Sequence, residues 1–149
     1  MEAALRTVAD VVLGEEIADV EYNDVRGMEQ TREAVIKVGE EEVKIAVLHT
    51  LASAKKMLDR IKEGTADYHF IEVMACPGGC IGGGGQPVPV NAEIRQKRRE
   101  ALFECDRANE LRKSHENPEI KVLYDTWLGK PLGEKAHSLL HTHYSEQKR

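Results

Sequence analysis

A segment rich in glycine and proline, residues 75–90, constrains the fold of this chain more than any other feature. ACPGGCIGGGGQPVPV holds six of the twelve glycines and three of the five prolines. Glycine loses more backbone entropy on folding than any other residue, and proline lacks the amide hydrogen that helices and sheets use. The segment is therefore predicted to be a loop that separates the regular structure before it from the regular structure after it.

The residues before this loop predict a helix, two strands, a second helix and a third strand. Apolar residues recur at helical spacing over 2–13, and Gly14 is a plausible stop. Two strands that pair with each other are predicted on either side of Gly39. Apolar and polar residues alternate in the first, EAVIKV, and the second, VKIAVLH, is mostly apolar. A strand-like run, YHFIEVM, leads directly into the loop. Between the strands, residues 51–62 predict an amphipathic helix that ends near Gly64 and has an apolar face of Leu51, Ala54, Met57, Leu58 and Ile61.

The residues after the loop predict helices. One long helix is expected from Asn91 to Lys113, a short one restarts at Asn117-Pro118, and a last one covers GEKAHSLLHTHY. The order of elements predicts an α/β fold with a partial sheet, flanking helices, a glycine-rich loop and a helical C-terminal extension. The order of the strands in the sheet is not predicted.

Composition narrows the class of protein. With 41% apolar and 32% charged residues in 149, the chain is predicted to be a globular protein, and its net charge of −5 argues against a general nucleic-acid binder. No apolar run approaches the roughly 20 residues of a membrane span, and the first residues lack the pattern of a signal peptide. Three cysteines suit a metal or redox site in a reducing compartment better than a disulfide framework, so a cytoplasmic location is expected.

Two of the cysteines, Cys76 and Cys80, lie in the loop. Two thiolates in a backbone with few Cβ atoms suit an iron-sulfur cluster, because the chain can close around it and point amide hydrogens at its sulfides. A phosphate-binding loop is disfavoured because Gln86 and Pro87 follow the glycines, and a thioredoxin-like site would have one residue fewer between the cysteines. A zinc site that borrows tail histidines, or a plain glycine-rich turn with two incidental cysteines, stays open.

The sequence FIEVMACPGGCIGGGGQP, residues 70–87, resembles the third cluster-binding signature of the iron-only (FeFe) hydrogenases. MEAALRT at the start and the regions around Arg26 and Val47 are similar to the same catalytic domain, while SHENP, LYDTWLGKP and AHSLLHTHY resemble its small-subunit segment. The resemblance implies that residues 1–90 form the C-terminal lobe of the catalytic domain, with a cluster loop at 74–87. It implies that residues 91–149 form the helical small-subunit-like segment.

The resemblance also implies roles for individual residues. Cys76 would be a terminal ligand of the 4Fe-4S part of the active-site H-cluster, and Cys80 a ligand whose thiolate also bridges to the di-iron subsite. Met74 would pack against the di-iron ligands, and Gly78 and Gly79 would allow close approach of the backbone. The implied reaction is the reversible reduction of protons to hydrogen.

The chain departs from the family pattern in two ways. Gly82 stands where many members have asparagine, which removes no ligand. The other two cluster ligands come from Thr-Ser-Cys-Cys-Pro and Met-Pro-Cys segments, and neither occurs here.

We therefore expect a C-terminal portion or split subunit that is inactive alone and exposes apolar surface. It would need the missing N-terminal part of the domain, or a complementary subunit, and through it ferredoxin or another redox carrier. The alternatives are a non-catalytic hydrogenase-like iron-sulfur protein, for cluster assembly or electron transfer, and a structural domain with an empty site.

Five further features have simpler interpretations. Cys105 is expected to be a small buried side chain on the long helix, and His49 a residue on the loop side of its strand. Glu72 fits either a hydrogen bond near the loop or a salt bridge, and residues 97–99 are expected to form a solvated basic face. The tail histidines are expected to be structural or solvent-facing rather than metal ligands, and they are His137, His141 and His143.

Overall fold

A three-stranded sheet with a helix against each face organises the first half of the chain. The computed structural model describes residues 1–14, 16, 21–27 and 29–145. Strands β1, β2 and β3 span Thr31–Val38, Glu41–His49 and Phe70–Met74. Helices α1 to α5 span Glu2–Leu13, Leu51–Lys62, Ala92–Ala108, Pro118–Leu123 and Glu134–Leu140. The predicted α/β class and the partial sheet are confirmed.

The sheet combines a hairpin with a crossover. Strands β1 and β2 pair antiparallel around a turn in which Gly39 has a φ of 64°. Strand β3 pairs parallel to β2, so the sheet order is β1-β2-β3 with β2 in the centre. A parallel neighbour requires a crossover connection, and α2 provides it. The carboxyl ends of β2 and β3 therefore lie side by side.

The central strand β2 is buried on both faces. Ile45 and Val47 pack with residues of α1, and the alternate residues Ala46 and Leu48 pack with α2. Because side chains of a strand alternate between faces, His49 shares the α1 face with Ile45 and Val47. The parallel register places Glu72 and Met74 of β3 on that same face, beside Val47 and His49.

Helix α2 buries a narrower face than its sequence predicts. Met57 is only 3% exposed, whereas Leu58 is 57% exposed, and Leu51 and Ile61 are also exposed. The predicted helix is confirmed, but the sheet covers only the part of its apolar face that holds Met57 and Ala54. The exposed side agrees with the expectation that apolar surface would be left uncovered.

Replacing Met57 with alanine should lower the free energy of unfolding of the chain by about 2–3 kcal/mol, since it leaves a cavity between α2 and the sheet. Leu58→Ala on the same helix is the matched control and should change the free energy by less than about 0.5 kcal/mol, as exposed sites do. Urea denaturation followed by circular dichroism measures both variants. Equal losses in the two variants would contradict this packing of α2.

Helix α3 is shorter than the predicted helix from Asn91 to Lys113. Its start is as expected, because the Asn91 side chain accepts a hydrogen bond from the Ile94 amide, but it ends at Ala108, and Asn109 is extended with a ψ of 138°. None of its residues is buried, and Cys105 is exposed, so the prediction that Cys105 is buried is wrong. Beyond Asn109 the chain bonds to α1 instead of continuing the helix, because the Arg112 carbonyl accepts a hydrogen bond of 2.8 Å from Arg6.

The chain divides by its internal contacts into Met1–Arg112 and a second unit that starts at Lys113. In the second unit α4 continues into a wide helical turn at Tyr124–Leu128, and α5 ends at Leu140, earlier than predicted. Leu128 and Ala136 are its buried apolar residues among those described. The functional division near residue 90 stays a prediction. Across the described ranges, no helix is long and apolar enough to cross a membrane.

Candidate functional site

The glycine-rich loop begins where β2 and β3 end side by side. His49 and Met74 are partners in the parallel register, and the Thr50 amide donates a hydrogen bond of 2.7 Å to the Met74 carbonyl. The carboxyl edge of parallel strands is where α/β folds place their ligand sites. The sheet therefore fixes both the start of the loop and the residues beneath it.

Two consecutive tight turns shape the loop around its cysteines. The Gly79 amide donates to the Cys76 carbonyl at 3.0 Å, and the Gly83 amide donates to the Cys80 carbonyl at 3.2 Å. Gly78 and Gly79 have φ angles of 78° and 77°, in the left-handed region that favours glycine. Each cysteine thus opens one turn, and the two glycines between the cysteines allow the first turn to close.

Gly79 is also the point of closest approach between the loop and the sheet. A Cβ atom on Gly79 would lie 2.7 Å from Met74 Sδ and 3.9 Å from His49 Nε2. A Cβ on Gly83 would lie 3.3 Å from Cys76 Sγ. The loop therefore lies directly on the Met74 thioether, and only glycine fits this conformation without strain.

Gly79→Ala should lower the free energy of unfolding by about 1–2 kcal/mol, which is the cost of placing a side chain in the left-handed conformation. Gly84→Ala is the matched control in the same loop, because a Cβ there would meet nothing within 4 Å. It should leave stability unchanged or raise it slightly. Urea titration of the two variants against the unmodified chain measures the difference, and a Gly79→Ala variant as stable as Gly84→Ala would refute the close approach.

A cavity of about 470 Å³ lies on the α1 face of the sheet, against the loop. Cys80 and Met74 line it, and so does His49, which is only 5% exposed. His49 lies on the loop side, as expected, with its Nε2 close to Gly79, and the alternation of β2 turns its side chain into the interior beneath the loop. Glu72 also lines the cavity, and its carboxylate accepts a hydrogen bond of 2.8 Å from the amino group of Met1, with which it forms an ion pair. The apolar part of the wall comes from Val25, Val47, Ile81, Leu102 and Phe103.

Charged residues close the far side of the cavity. Arg6, 5% exposed, donates to both carboxylate oxygens of Asp106 at 2.7 and 2.9 Å and to the Arg112 carbonyl at 2.8 Å. The Arg6 guanidinium, and then Arg112, hold the pKa of the Asp106 carboxyl well below its usual range. Arg26 pairs with Glu2, and its pKa is raised, chiefly by that hydrogen bond. This network joins α1 to the C-terminal end of α3, and sequence patterns gave no sign of it.

The three basic residues expected to form a solvated face have different environments. Lys97 is exposed and pairs with Glu93 at 2.7 Å. Arg99 lines the cavity, and Arg98 donates hydrogen bonds to the loop backbone. The expectation is therefore wrong for Arg98 and Arg99, because α3 turns Arg98 towards the loop and Arg99 towards the cavity.

The structure brings together Cys76 and Cys80, Gly78 and Gly79, and Met74 at one end of the sheet. All three cysteines are free thiols, and Cys105 lies on α3 outside the residues that line the cavity. Two thiols, a close backbone and an adjoining cavity can hold a compact metal cluster that extends into the cavity.

Two protein-family models together match nearly the whole chain. Residues 1–84 match the model of the iron only hydrogenase large subunit, C-terminal domain. The chain belongs to the iron-only hydrogenase family. Residues 92–147 match the model of the iron hydrogenase small subunit, so both family segments follow one another in this hydrogenase chain. The resemblance expected from residues 70–87 and from the C-terminal motifs is confirmed.

Individual relatives include hydrogenases and an iron-sulfur assembly protein. The NADP-reducing hydrogenase subunit HndD of Solidesulfovibrio fructosivorans is 49% identical over 100% of this chain and 26% of its own length. A solved apo FeFe-hydrogenase from Chlamydomonas reinhardtii is 40% identical, with a TM-score of 0.76, over 97% of this chain and 43% of that one. The cytosolic iron-sulfur assembly component 3 of Rattus norvegicus is 31% identical over 97% of this chain and 30% of its own length. The chain thus spans about a fifth to a third of the length of the curated relatives it matches.

Proposed function

We propose that this chain is the C-terminal part, or a split subunit, of an FeFe hydrogenase and supplies two cysteine ligands of the H-cluster. The reaction of the whole enzyme would be the reversible reduction of protons to hydrogen. The observation that carries the proposal is the placement of Cys80, which belongs to the cluster loop and also lines the cavity on the α1 face. A cysteine whose thiolate bridges two parts of a cluster must lie in the loop that holds one part and also face the cavity that holds the other.

The donor set and the shape of the loop fit a 4Fe-4S cluster with an attached di-iron subsite. Thiolates are the ordinary ligands of iron-sulfur clusters, and Cys76 and Cys80 would hold the 4Fe-4S part. The cavity of about 470 Å³ beside Cys80 offers the space for the di-iron part. When bound, the cluster would relay electrons from the redox carrier and would offer the iron position at which protons are reduced to hydrogen.

The residues of this chain would bind, orient and shield the cluster. Gly78 and Gly79 leave backbone close to the cysteines, so amide hydrogens can face cluster sulfides. Met74, held under Gly79, presents a soft thioether as part of an apolar wall that excludes water. Neighbours of this kind tune a metal site through hydrogen bonds and dielectric.

Two cysteines leave two positions of a 4Fe-4S cluster without a protein ligand. The missing N-terminal part of the hydrogenase domain or a complementary subunit would supply them, and a ferredoxin or another redox carrier would deliver electrons through that partner. The chain alone would be inactive. We also infer a cytoplasmic location, because free thiols that must bind iron persist in a reducing compartment.

One other function has a specific observation in its favour. The similarity to the iron-sulfur assembly component covers nearly the whole chain, so a non-catalytic role in cluster assembly or electron transfer is the second candidate. Such a protein would hold a 4Fe-4S cluster on the same loop with an empty cavity. The higher identity to the hydrogenase subunit HndD favours the enzyme.

The test is to restore the absent part. The 149-residue chain is fused to the upstream portion of HndD in place of the matching C-terminal segment and expressed anaerobically in a host that assembles FeFe-hydrogenase clusters. Hydrogen evolution with reduced methyl viologen should approach that of the parent enzyme, while the chain alone should show none. A folded fusion that carries a 4Fe-4S signal but evolves no hydrogen would refute the catalytic proposal and favour the assembly-type function.

A further inference from the structure

We propose that Arg98 is a positioning residue that closes the cluster loop, and that the small-subunit segment acts on the cluster through it. This inference rests on the proposed function of Cys76 and Cys80. Arg98 lies in α3, within the part of the chain that matches the small-subunit model, whereas both cysteines lie in the part that matches the large-subunit domain.

The geometry of Arg98 joins two distant points of the loop backbone. Its Nη1 donates to the Ile81 carbonyl at 3.0 Å, and its Nη2 donates to the Pro87 carbonyl at 2.7 Å. One guanidinium therefore bridges two carbonyls that are six residues apart. Ile81 directly follows Cys80, so the first of these bonds holds the backbone next to the proposed bridging ligand.

The segment between these two carbonyls is flexible by composition, so contacts from outside the segment matter for its order. It contains four consecutive glycines, Gly82 to Gly85, whose backbone freedom in the open loop is large. Its backbone bonds include the turn at Gly83 and a long contact of 3.4 Å from the Gln86 amide to the Gly83 carbonyl. The Arg98 bridge holds this segment at both ends, at Ile81 and at Pro87, and so reduces the number of conformations that the glycines between them can adopt.

Neighbouring residues of α3 support the same contact. Residues three and four apart lie on one side of a helix, so Arg95, Arg98 and Leu102 face the loop together. A Cβ on Gly82 would lie 2.7 Å from Arg95 Cδ, so the Arg95 stem packs against the loop, and Leu102 lines the cavity. The loop therefore lies along α3 over several residues, with Arg98 as its hydrogen-bonding anchor.

Arginine suits this task better than lysine. Its planar fork presents several donors at fixed spacing, whereas lysine is a single charge on a flexible stem and would reach one carbonyl at a time. Arg98→Lys should therefore restore only part of the order that Arg98→Met removes.

The experiment compares Arg98→Met, Arg98→Lys and the control Lys97→Met, which removes the exposed neighbouring charge. In the 149-residue chain, the alkylation rate of the half-buried Cys76, which packs against Gly83, is measured with iodoacetamide relative to that of the exposed Cys105. Millisecond hydrogen exchange is measured over residues 79–87. We expect Arg98→Met to raise the relative alkylation rate and the exchange about five-fold, Arg98→Lys about two-fold, and Lys97→Met not at all. The urea midpoint should be the same in all variants.

In the HndD fusion, Arg98→Met should release iron to a chelator several-fold faster and broaden the electron paramagnetic resonance of the reduced cluster, with Arg98→Lys intermediate. The inference would be overturned if Arg98→Met gave the same exchange, alkylation and iron-release rates as Lys97→Met. It would also be overturned if the urea midpoint of Arg98→Met fell enough for global unfolding to account for its faster exchange. The measurements on the isolated chain need no cluster. A failure there refutes the role of Arg98 alone, whereas activity that survives loss of Cys80 refutes the proposed function.

Discussion

Cys80→Ser in the HndD fusion should abolish hydrogen evolution, with a loss larger than the 10- to 100-fold that is typical when a residue outside the coordination sphere is changed. The reason is that serine lacks the thiolate that iron-sulfur clusters require, and Cys80 is the cysteine that lines the cavity. The fold should persist, because the Cys80 side chain is exposed and takes no part in either core cluster. The measurement is hydrogen evolution per mole of folded protein.

Cys105→Ser is the matched control for that substitution. Cys105 is also an exposed free thiol, but it lies on α3 and does not line the cavity. Its replacement should leave hydrogen evolution and iron content unchanged. If Cys80→Ser retained the activity of the Cys105→Ser variant, Cys80 would not be a cluster ligand.

Asp106→Asn should lower the free energy of unfolding of the 149-residue chain by about 3 kcal/mol at neutral pH. The substitution leaves the buried Arg6 guanidinium without the carboxylate that accepts its two hydrogen bonds. It also removes a partner of Arg112. The link between α1 and the end of α3 would weaken, and with it the far wall of the cavity. Urea denaturation at pH 7 measures the loss.

The effect of Asp106 should depend on pH in a defined direction. Because its pKa is lower in the folded chain than in the unfolded one, its contribution to stability is fully present above the ordinary carboxyl pKa of about 4. That contribution falls as the pH drops further towards the folded pKa. The stability difference between the native chain and Asp106→Asn should therefore narrow below about pH 4.

Asp59→Asn is the control for the acid titration, because Asp59 forms an exposed pair with Lys55 on α2. It should produce no measurable loss at pH 7, as is usual for exposed ion pairs. A loss in Asp106→Asn no larger than in Asp59→Asn, or one that does not shrink in acid, would contradict the proposed role of the Arg6 to Asp106 link.

Local patterns predicted much of the fold. The alternation of residues 33–38 and the turn at Gly39 predicted the hairpin, and the helical spacing over 51–62 predicted α2 with the bounds that the structure shows. The carboxyl edge of β3 was also predicted, because the strand runs directly into the glycine-rich loop. In each case the determining interactions lie within a few residues along the chain.

Features that depend on distant contacts were missed. Arg6 and Asp106 are 100 residues apart in sequence, and Arg98 is 17 residues from Ile81, so nothing in local periodicity pairs them. The end of α3 was placed too late because residues 109–113 contain no glycine or proline to mark it. The burial of His49 was not predicted, because it depends on the loop that folds over the end of β2, and only the three-dimensional structure shows that overlap.

The infrared spectrum of the anaerobically matured HndD fusion tests the central proposal most directly. If this chain supplies the H-cluster ligands, the fusion should show the carbonyl and cyanide bands of a di-iron subsite, and Cys80→Ser should remove them while Cys105→Ser keeps them. Bands that persist unchanged in Cys80→Ser, or a fusion that holds a 4Fe-4S cluster without any such bands, would contradict it.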